Sequence, residues 1–371
     1  MTEKQTILFI SALSPPVTGV TTASKTILSH LQNKGFTVYV IDYARKSLIS
    51  GKFSLKQLFR ILIIKGFKLL RAKRKATHIY LAISSNFWGN MRDIFFLFLL
   101  GKRKRKNTVL HLHTATFSDY FSTSPRWVRY FNKKMFTDIK AALVVGETFS
   151  TTFEHLIAPD RIKAVKNCVQ TELLIPPDLL TEKTSRIGKI NILHLANLIP
   201  SKGYNLLLDA YLSLSPKTRE KAVLNFAGKF QEYSLEAAFL KRIANEKGIH
   251  YYGPVQGNEK LKLLWGSHIF CLPTNYPPEA QPISILEAYA AGCVVVTSNT
   301  GGIKDIFQHG VNGYWISPGD TIALRNYLEL VISDFDKHRN FAFNNHHEAV
   351  EKYREDRFNH EIEQILLSLN P

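Results

Sequence analysis

Two glutamates, Glu279 and Glu287, stand eight positions apart in the segment YPPEAQPISILEAYAAGCVVVTSNTGG, which covers residues 276–302. Glu279 lies in a proline-rich loop, and Glu287 lies in the first turns of the helix that follows. Carboxylates accept hydrogen bonds from paired hydroxyl groups, so the two suit a sugar and a ribose diol. The turn Thr300–Gly302 would bring bare backbone N–H groups close to an anion, which only a missing Cβ permits. Alone, Glu287 also fits an ordinary surface glutamate at a helix start.

The first half of the chain offers further candidates at strand ends. The loop at residues 15–22 contains Gly19 and leads into a helix N-terminus, whose free N–H groups suit an anion. His113 ends the run TVLHLH, at the edge where open parallel sheets bind ligands, and His111 lies on the same face. Glu147 follows the run AALVVG and fits a helix-start carboxylate as well as a catalytic one. A structural role is an alternative for each of these side chains.

Short apolar runs alternate with helical patterns along the chain. A first series begins at ILFISAL (7–13) and continues through TVYVID, HIYLAI, TVLHLH and AALVVG. After a polar, proline-bearing stretch at 175–189, which we interpret as a linker, a second series begins at KINILHLAN. Such alternation predicts two α/β domains, each a parallel sheet covered by helices on both faces.

The composition excludes several classes of protein. A chain of 371 residues with 45% hydrophobic and 21% charged residues can bury a sizeable core, so it is neither disordered nor collagen-like. Its three cysteines lack C-x-x-C spacing, which favours a reducing compartment and argues against a cysteine zinc site. We see no secretory signal, and the longest aliphatic and aromatic run, 94–100, is short of the ~20 residues of a membrane span. We expect a soluble or peripheral protein.

The pair Glu279 and Glu287 resembles the E-x7-E signature of retaining glycosyltransferases of family 4, which have the GT-B fold. The resemblance covers nearly the whole chain and includes NILHLANLIPSKGYNLLLDAY, GPVQGNEKLKLLWGSHIFCLPT and GGIKDIFQHGVNGYWISPGD. It implies two Rossmann-like αβα domains facing each other across a cleft. Residues 1–180 would take the acceptor, residues 188–350 would bind the nucleotide sugar, and a C-terminal helix at 351–371 would cross back to the first domain.

The resemblance also assigns roles to individual residues. Glu279 would touch the donor sugar, Glu287 the ribose, and His113 the 6-hydroxyl of the sugar, with His111 behind it. Lys202 would neutralise the diphosphate, whereas Asn197, where most family members carry an arginine, can donate only a neutral hydrogen bond. The implied catalytic residues are His113, Glu279 and Lys202. The implied donor-binding residues are Gly19, Asn197, Lys202, Gly228, Val255, Glu279, Ile283, Ser284, Glu287, Thr300, Gly301 and Gly302. Sugar choice would depend on Asn275, Tyr276, Ala280 and Gln281.

Positive charge is concentrated in the first half of the chain. Residues 1–180 hold 28 Lys+Arg against 10 Asp+Glu, whereas residues 181–371 hold 20 of each. Helical spacing places Lys56, Arg60, Lys68 and Arg71 on one sector, and the segment RWVRYFNKKMF (126–136) interleaves cations with aromatic rings. This pattern is typical of a helix on an anionic bilayer, although a solvated helix packed on its own sheet is an alternative. No nucleic-acid recognition motif accompanies the charge, so we expect no nucleic-acid partner.

The sequence therefore predicts a retaining glycosyltransferase that moves a sugar from a nucleotide sugar, with a UDP-sugar expected, to a glycan or lipid-diphosphate-linked acceptor. We expect it at the inner face of the cell membrane in the cytoplasm. Since no D-x-D motif stands in a suitable context, we expect no metal and no cofactor. The alternatives are a GT-B-like epimerase or phosphorylase, and a non-catalytic protein that binds anionic membranes or nucleic acid.

Overall fold

The chain divides into two compact units. Unit 1 comprises Met1–Asn167 and Asp356–Pro371, and unit 2 comprises Cys168–Glu355. The structure, a computed structural model, describes residues 5–13, 18–44, 55–186 and 188–369, with the side chains of 55–61 left out. Among these residues no helix combines the length and the apolar character needed to cross a bilayer.

Unit 1 is built on a parallel sheet with the strand order β2-β1-β3-β4-β5-β6. The strands are β1 (Thr6–Ser11), β2 (Thr37–Asp42), β3 (His78–Ile83), β4 (Thr108–Leu112), β5 (Ala141–Val144) and β6 (Ile162–Ala164). The helices are α1 (Gly19–Asn33), α2 (Leu55–Lys75), α3 (Phe87–Arg105), α4 (Phe117–Thr123), α5 (Arg126–Phe136) and the last helix of the chain, α14 (Glu355–Ser368). Every residue of β3 is buried, as expected for a strand covered on both faces.

Unit 2 repeats this plan with the strand order β12-β11-β10-β7-β8-β9. The strands are β7 (Ile190–Leu195), β8 (Ala222–Ala227), β9 (Ile249–Tyr251), β10 (Ile269–Leu272), β11 (Val294–Ser298) and β12 (Gly313–Ile316). The helices are α6 (Pro177–Ser185), α7 (Tyr204–Leu212), α8 (Pro216–Glu220), α9 (Tyr233–Ile243), α10 (Gly257–Trp265), α11 (Ile283–Ala290), α12 (Thr321–Ser333) and α13 (Phe335–Lys352). The predicted α/β architecture of two Rossmann-like domains is confirmed.

The predicted linker at 175–189 is wrong. Residues 177–185 form α6, and this helix packs on unit 2. Leu180 lies against Gly292, where an added Cβ would come within 2.3 Å of its methyl group. Lys183 Nζ donates to the carbonyl oxygens of Ser267 and Ala291, at 2.9 and 2.5 Å. Pro177 stands at the first position of α6, where a proline starts a helix rather than ending one. The boundary therefore lies after Asn167 and not at residue 180.

The end of the chain returns to unit 1. On α14, Ile362 and Leu366 are fully buried. His30 on α1 bonds to Glu363 at 2.7 Å, and the ring of His78 bonds to the carbonyl oxygen of Leu369 at 2.9 Å. The terminal helix is thus part of the core of unit 1.

Candidate functional site

The topology of unit 2 fixes where a ligand should bind. β7 and β10 are neighbours in the sheet, but the chain runs outward from them in opposite directions. In open parallel sheets, ligands bind at the carboxyl ends of the strands at such a switch point. Lys202 follows β7, Glu279 follows β10, and Gly301 follows β11, so three of the predicted residues converge on this edge.

Lys202 and Glu279 form an ion pair at this edge. Lys202 Nζ lies 2.5 Å from Glu279 Oε2, and the two side chains are 15% and 7% exposed. Thr274 donates to the same oxygen at 3.1 Å, and the ring of Tyr276 lies 4.8 Å from the ammonium group. Lys202 is therefore no freely solvated loop lysine, and it carries a positive charge into a nearly closed site.

Glycines allow the loops around this pair to approach closely. Gly203 has a φ of +82°, and a Cβ there would stand 2.1 Å from the carbonyl oxygen of Pro273. Gly301 has a φ of +53°, and its Cβ would stand 2.0 Å from the carbonyl oxygen of Glu279. Gly228 comes as close to Ala196, where a Cβ would lie 1.7 Å from the carbonyl oxygen. Only glycine fits at these contacts.

Glu287 is a buried residue of α11 and not a surface glutamate. Its side chain is 5% exposed, and its Oε1 lies 2.5 Å from the ammonium group of Lys260 on α10. Sequence reasoning missed Lys260, because a partner 27 positions away leaves no signal in the spacing. It also missed Thr274, which lies only five positions before Glu279 but in a loop, where no periodicity pairs the two side chains.

The residues predicted for donor binding and for sugar choice differ in exposure. Val255, Gly302, Ala280 and Gln281 are buried, Ile283, Ser284, Thr300 and Tyr276 are partly buried, and Asn197 and Asn275 are exposed. The backbone N–H of Gly302 lies 3.4 Å from the carbonyl oxygen of Glu279. Their roles toward a ligand stay predictions.

His194 lies in β7, close enough for the charge of Lys202 to act on it. Its Nδ1 bonds to the carbonyl oxygen of Cys271 at 2.9 Å, while Nε2 has no partner among the described residues. Burial is the main reason that the pKa of His194 falls from 6.5 to about 4; the hydrogen bond to Cys271 opposes this shift and the charge of Lys202 adds to it. The ring is therefore neutral at pH 7.

We expect acid to destabilise unit 2 through His194. Between pH 6.5 and about 4, His194 binds a proton in the unfolded chain but not in the folded chain. The free energy of unfolding therefore falls as the pH falls through this range. The unfolding temperature, followed from about pH 7 to about pH 4, should fall less steeply for His194→Asn than for the native chain. His155→Asn, which alters a side chain 74% exposed, is the control and should leave the slope unchanged. Equal slopes for native chain and His194→Asn would contradict this account.

In unit 1, two histidines and a tyrosine form a cluster beside the end of β4, in which Tyr80 and His111 are buried and His113 is partly buried. The rings of His111 and His113 lie 3.8 Å apart, and Tyr80 Oη lies 2.7 Å from His111 Nδ1. Neither ring nitrogen of His113 has a partner among the described residues. Burial lowers the pKa of His113 to about 4 and that of His111 well below its usual value. His113 thus presents a neutral ring with unused hydrogen-bonding capacity, and His111 has the structural contact with Tyr80.

The two other candidates of unit 1 are both exposed. Gly19 is the exposed first residue of α1, whose N-terminus is capped by Thr18 and Thr21. Glu147 is exposed and opens a short 3-10 turn, which fits a helix-start carboxylate.

Helices α2, α3 and α5 of unit 1 share an exposed surface. α3 packs against both of the other two, and Gly66 lets α2 approach Phe95 and Leu99 of α3. Eight of the sixteen exposed large apolar side chains among the described residues lie on these helices. They are Ile63, Ile64, Phe67, Trp88, Phe98, Trp127, Tyr130 and Phe131. Together with the exposed Lys68, Arg71, Lys133 and Lys134 of the same helices, we call this set the aromatic-basic face. Lys56 and Arg60 fall among the side chains that are not described.

The outer surface of α2 carries apolar as well as cationic side chains. Leu69 is buried, but Phe67 is 65% exposed, and Lys68 and Arg71 are exposed on the same helix. Packing against α3 covers only part of the apolar stripe, so apolar and cationic side chains share the outer surface.

Comparisons with known proteins bear on unit 2 most directly. Residues 181–348 match the family model of glycosyl transferases group 1. The matched residues make up most of unit 2. An uncharacterised glycosyltransferase of Methanocaldococcus jannaschii is 28% identical over 165 residues, 44% of this chain and 41% of that protein. The N-acetyl-alpha-D-glucosaminyl L-malate synthase of Bacillus anthracis is 23% identical over 226 residues, 60% of this chain and 58% of that one. The chain thus spans about half the length of these relatives.

Solved structures confirm the fold beyond the glycosyltransferase domain. The Anabaena protein HepE, solved with UDP and glucose, superposes over 98% of this chain and all of that chain with a TM-score of 0.72 at 17% identity. At this identity the likeness establishes the fold alone. The chain therefore has the two-domain GT-B fold, and the recognition of a GT-B glycosyltransferase from sequence is confirmed. The assignment to family 4 stays a prediction.

Proposed function

We propose that the protein is a retaining glycosyltransferase that uses a nucleotide sugar. The observation that carries the proposal is the convergence of Lys202, Glu279 and the Thr300–Gly302 turn at the switch point of the glycosyltransferase domain. Lys202 and the backbone N–H of Gly301 suit a diphosphate, whereas the N–H groups of Thr300 and Gly302 already donate to the carbonyl oxygens of Ser298 and Glu279. Glu279 and Glu287 suit the hydroxyls of the sugar and the ribose. HepE was solved with UDP, and this supports uridine as the first base to test.

The proposed chemistry takes place on one face of the sugar. The acceptor oxygen bonds to the anomeric carbon as the bond from that carbon to the diphosphate oxygen breaks, and a diphosphate oxygen takes the proton of the acceptor hydroxyl. The configuration is retained without a covalent sugar–protein intermediate. The residues of unit 2 would supply positioning and neutralise the charge that develops on the diphosphate. Lys202 is paired with Glu279, so diphosphate binding would draw part of its charge away from that carboxylate.

A thermal-shift panel of sugar nucleotides tests the proposal. Because stabilisation follows affinity, the donor or its nucleotide should raise the unfolding temperature most. Lys202→Met should lose the preference for UDP over UMP, whereas Lys217→Met, which alters an exposed lysine of α8, should keep it. Incubation with the donor and candidate acceptors, with the anomeric configuration read by NMR, then tests the transfer. No shift with any nucleotide would overturn the proposal, and a new sugar formed without an acceptor would indicate an epimerase instead.

We also propose that unit 1 docks on an anionic membrane through its aromatic-basic face and takes a lipid-diphosphate-linked or glycan acceptor there. No acidic residue occurs in α2 or α5. Exposed rings mixed with cations match the interfacial zone of an anionic bilayer, because the rings enter the headgroup region while the cations meet the lipid phosphates. Among the relatives, a Campylobacter jejuni N-acetylgalactosaminyltransferase is named for an undecaprenol-diphosphate-linked acceptor, which supports this class of acceptor.

Vesicle sedimentation measures this docking. Replacing Lys68, Arg71, Lys133 and Lys134 by glutamine should weaken binding to phosphatidylglycerol vesicles at least tenfold, since each cation near the surface contributes about 1 kcal/mol. Replacing Trp127, Tyr130 and Phe131 by serine should weaken the binding that remains at high salt. Tyr233→Ser, at a residue 85% exposed on unit 2, is the matched control. Undiminished binding of both multiple variants would contradict the docking.

A further inference from the structure

Lys260 and Glu287 form a largely buried ion pair between α10 and α11. The ammonium group lies 2.5 Å from Glu287 Oε1, and the two side chains are 21% and 5% exposed. We propose that Lys260 is a positioning residue, which fixes one oxygen of Glu287 so that the other is presented to the ribose diol. The proposal rests on the assignment of Glu287 to the ribose under the proposed function.

The two oxygens of Glu287 have different surroundings. Oε1 accepts from Lys260, whereas Oε2 makes no hydrogen bond with any described residue. A carboxylate that binds a diol must hold its plane still, since a rotating group loses acceptor geometry. Lys260 meets this need, because its hydrogen bond fixes the orientation of the Glu287 carboxylate.

Glu279 shows the same arrangement with one difference. Its Oε2 is held by Lys202 and by Thr274, and its Oε1 makes no hydrogen bond with the described residues. Each glutamate thus has one tethered oxygen and one open oxygen. Glu279 has two tethers, but Glu287 has Lys260 alone, so the orientation of Glu287 depends on that single side chain.

Discrimination between ribose and deoxyribose provides the test. Titration calorimetry would compare UDP with 2′-deoxy-UDP, and GDP with 2′-deoxy-GDP, on the full chain and its variants. Whichever of UDP and GDP binds more tightly, the native chain should bind it about tenfold more tightly than its 2′-deoxy form. Tenfold is the effect on affinity that one hydrogen bond to a charged group is expected to have. Lys260→Met and Glu287→Ala should each bring this ratio close to one, while Lys260→Arg should keep most of the preference.

The controls separate positioning from a structural role. Lys262→Met alters an exposed lysine two positions along the same helix and should keep the native ratio. The variant Lys260→Met, Glu287→Ala removes both charges, so it avoids a buried unpaired carboxylate and should show the same ratio as Glu287→Ala. If Lys260→Met unfolds at a lower temperature but keeps the native ratio, the pair is only structural and the proposal is overturned.

Failure of the proposal is distinguishable from failure of the proposed function. If Lys260→Met keeps the native preference for the ribonucleotide while Glu287→Ala loses it, the positioning role is overturned and the ribose assignment stays intact. A native ratio in Glu287→Ala would overturn the ribose assignment, and the positioning role with it. No binding of UDP or GDP to the native chain would overturn the proposed function itself.

Discussion

Glu279→Gln should lower the rate of sugar transfer about 100-fold, as expected for loss of one charged group that acts on the reacting sugar. Glutamine keeps the shape of the side chain, but it removes the negative charge that accepts sugar hydroxyls and pairs with Lys202. The loss should appear in kcat, since the interaction concerns the sugar near the reacting carbon. Affinity for UDP should stay close to that of the native chain, because Lys202 remains.

The control for this variant is Glu259→Gln, which removes an exposed carboxylate from α10. It should transfer sugar at the native rate. Steady-state kinetics with the donor found in the thermal-shift panel would measure both variants. Transfer by Glu279→Gln at the native rate would contradict the role of Glu279.

Gly301→Ala should abolish donor binding and destabilise unit 2 by about 2–4 kcal/mol, the sum of left-handed backbone strain and overpacking. Its Cβ would stand 2.0 Å from the carbonyl oxygen of Glu279, at a φ of +53°. Backbone atoms cannot turn away as a flexible side chain does, so the loop that carries Glu279 must shift. Loss of the loop position should remove UDP binding together with activity.

Gly310→Ala is the matched control for this effect. Gly310 has a φ of +77°, but nothing lies within 4 Å of its Cβ position. Gly310→Ala therefore introduces the backbone strain without the crowding. It should lower the free energy of unfolding by only about 1 kcal/mol and keep UDP binding. Urea unfolding and calorimetry would compare the two variants. If Gly301→Ala and Gly310→Ala lose the same free energy of unfolding and bind UDP equally, crowding at Gly301 has no role.

The sequence predicted the strands well because each is a short apolar run between turn residues. The run HIYLAI became β3 without a change of bounds, and TVYVID became β2. It failed at residues 175–189, where two prolines suggested a linker. Pro177 instead starts α6, and only the tertiary contacts of Leu180 and Lys183 show that the segment belongs to unit 2.

The candidate site was predictable in its acidic residues and less so in their partners. The spacing of Glu279 and Glu287 identified both side chains, since the motif is local in sequence. Lys260 and Thr274 contact them only through the fold, and no periodicity marks such a contact. The outer surface of α2 shows the same limit, because helical spacing places residues on a face but does not show how much of it the neighbouring helix covers.

A crystal structure of the chain with bound UDP tests the central claim most directly. We predict the ribose hydroxyls against Oε2 of Glu287 with Lys260 still bound to Oε1, and the diphosphate within hydrogen-bond distance of Lys202 Nζ and the backbone N–H of Gly301. UDP bound elsewhere, with no nucleotide at the switch point of unit 2, would contradict the account.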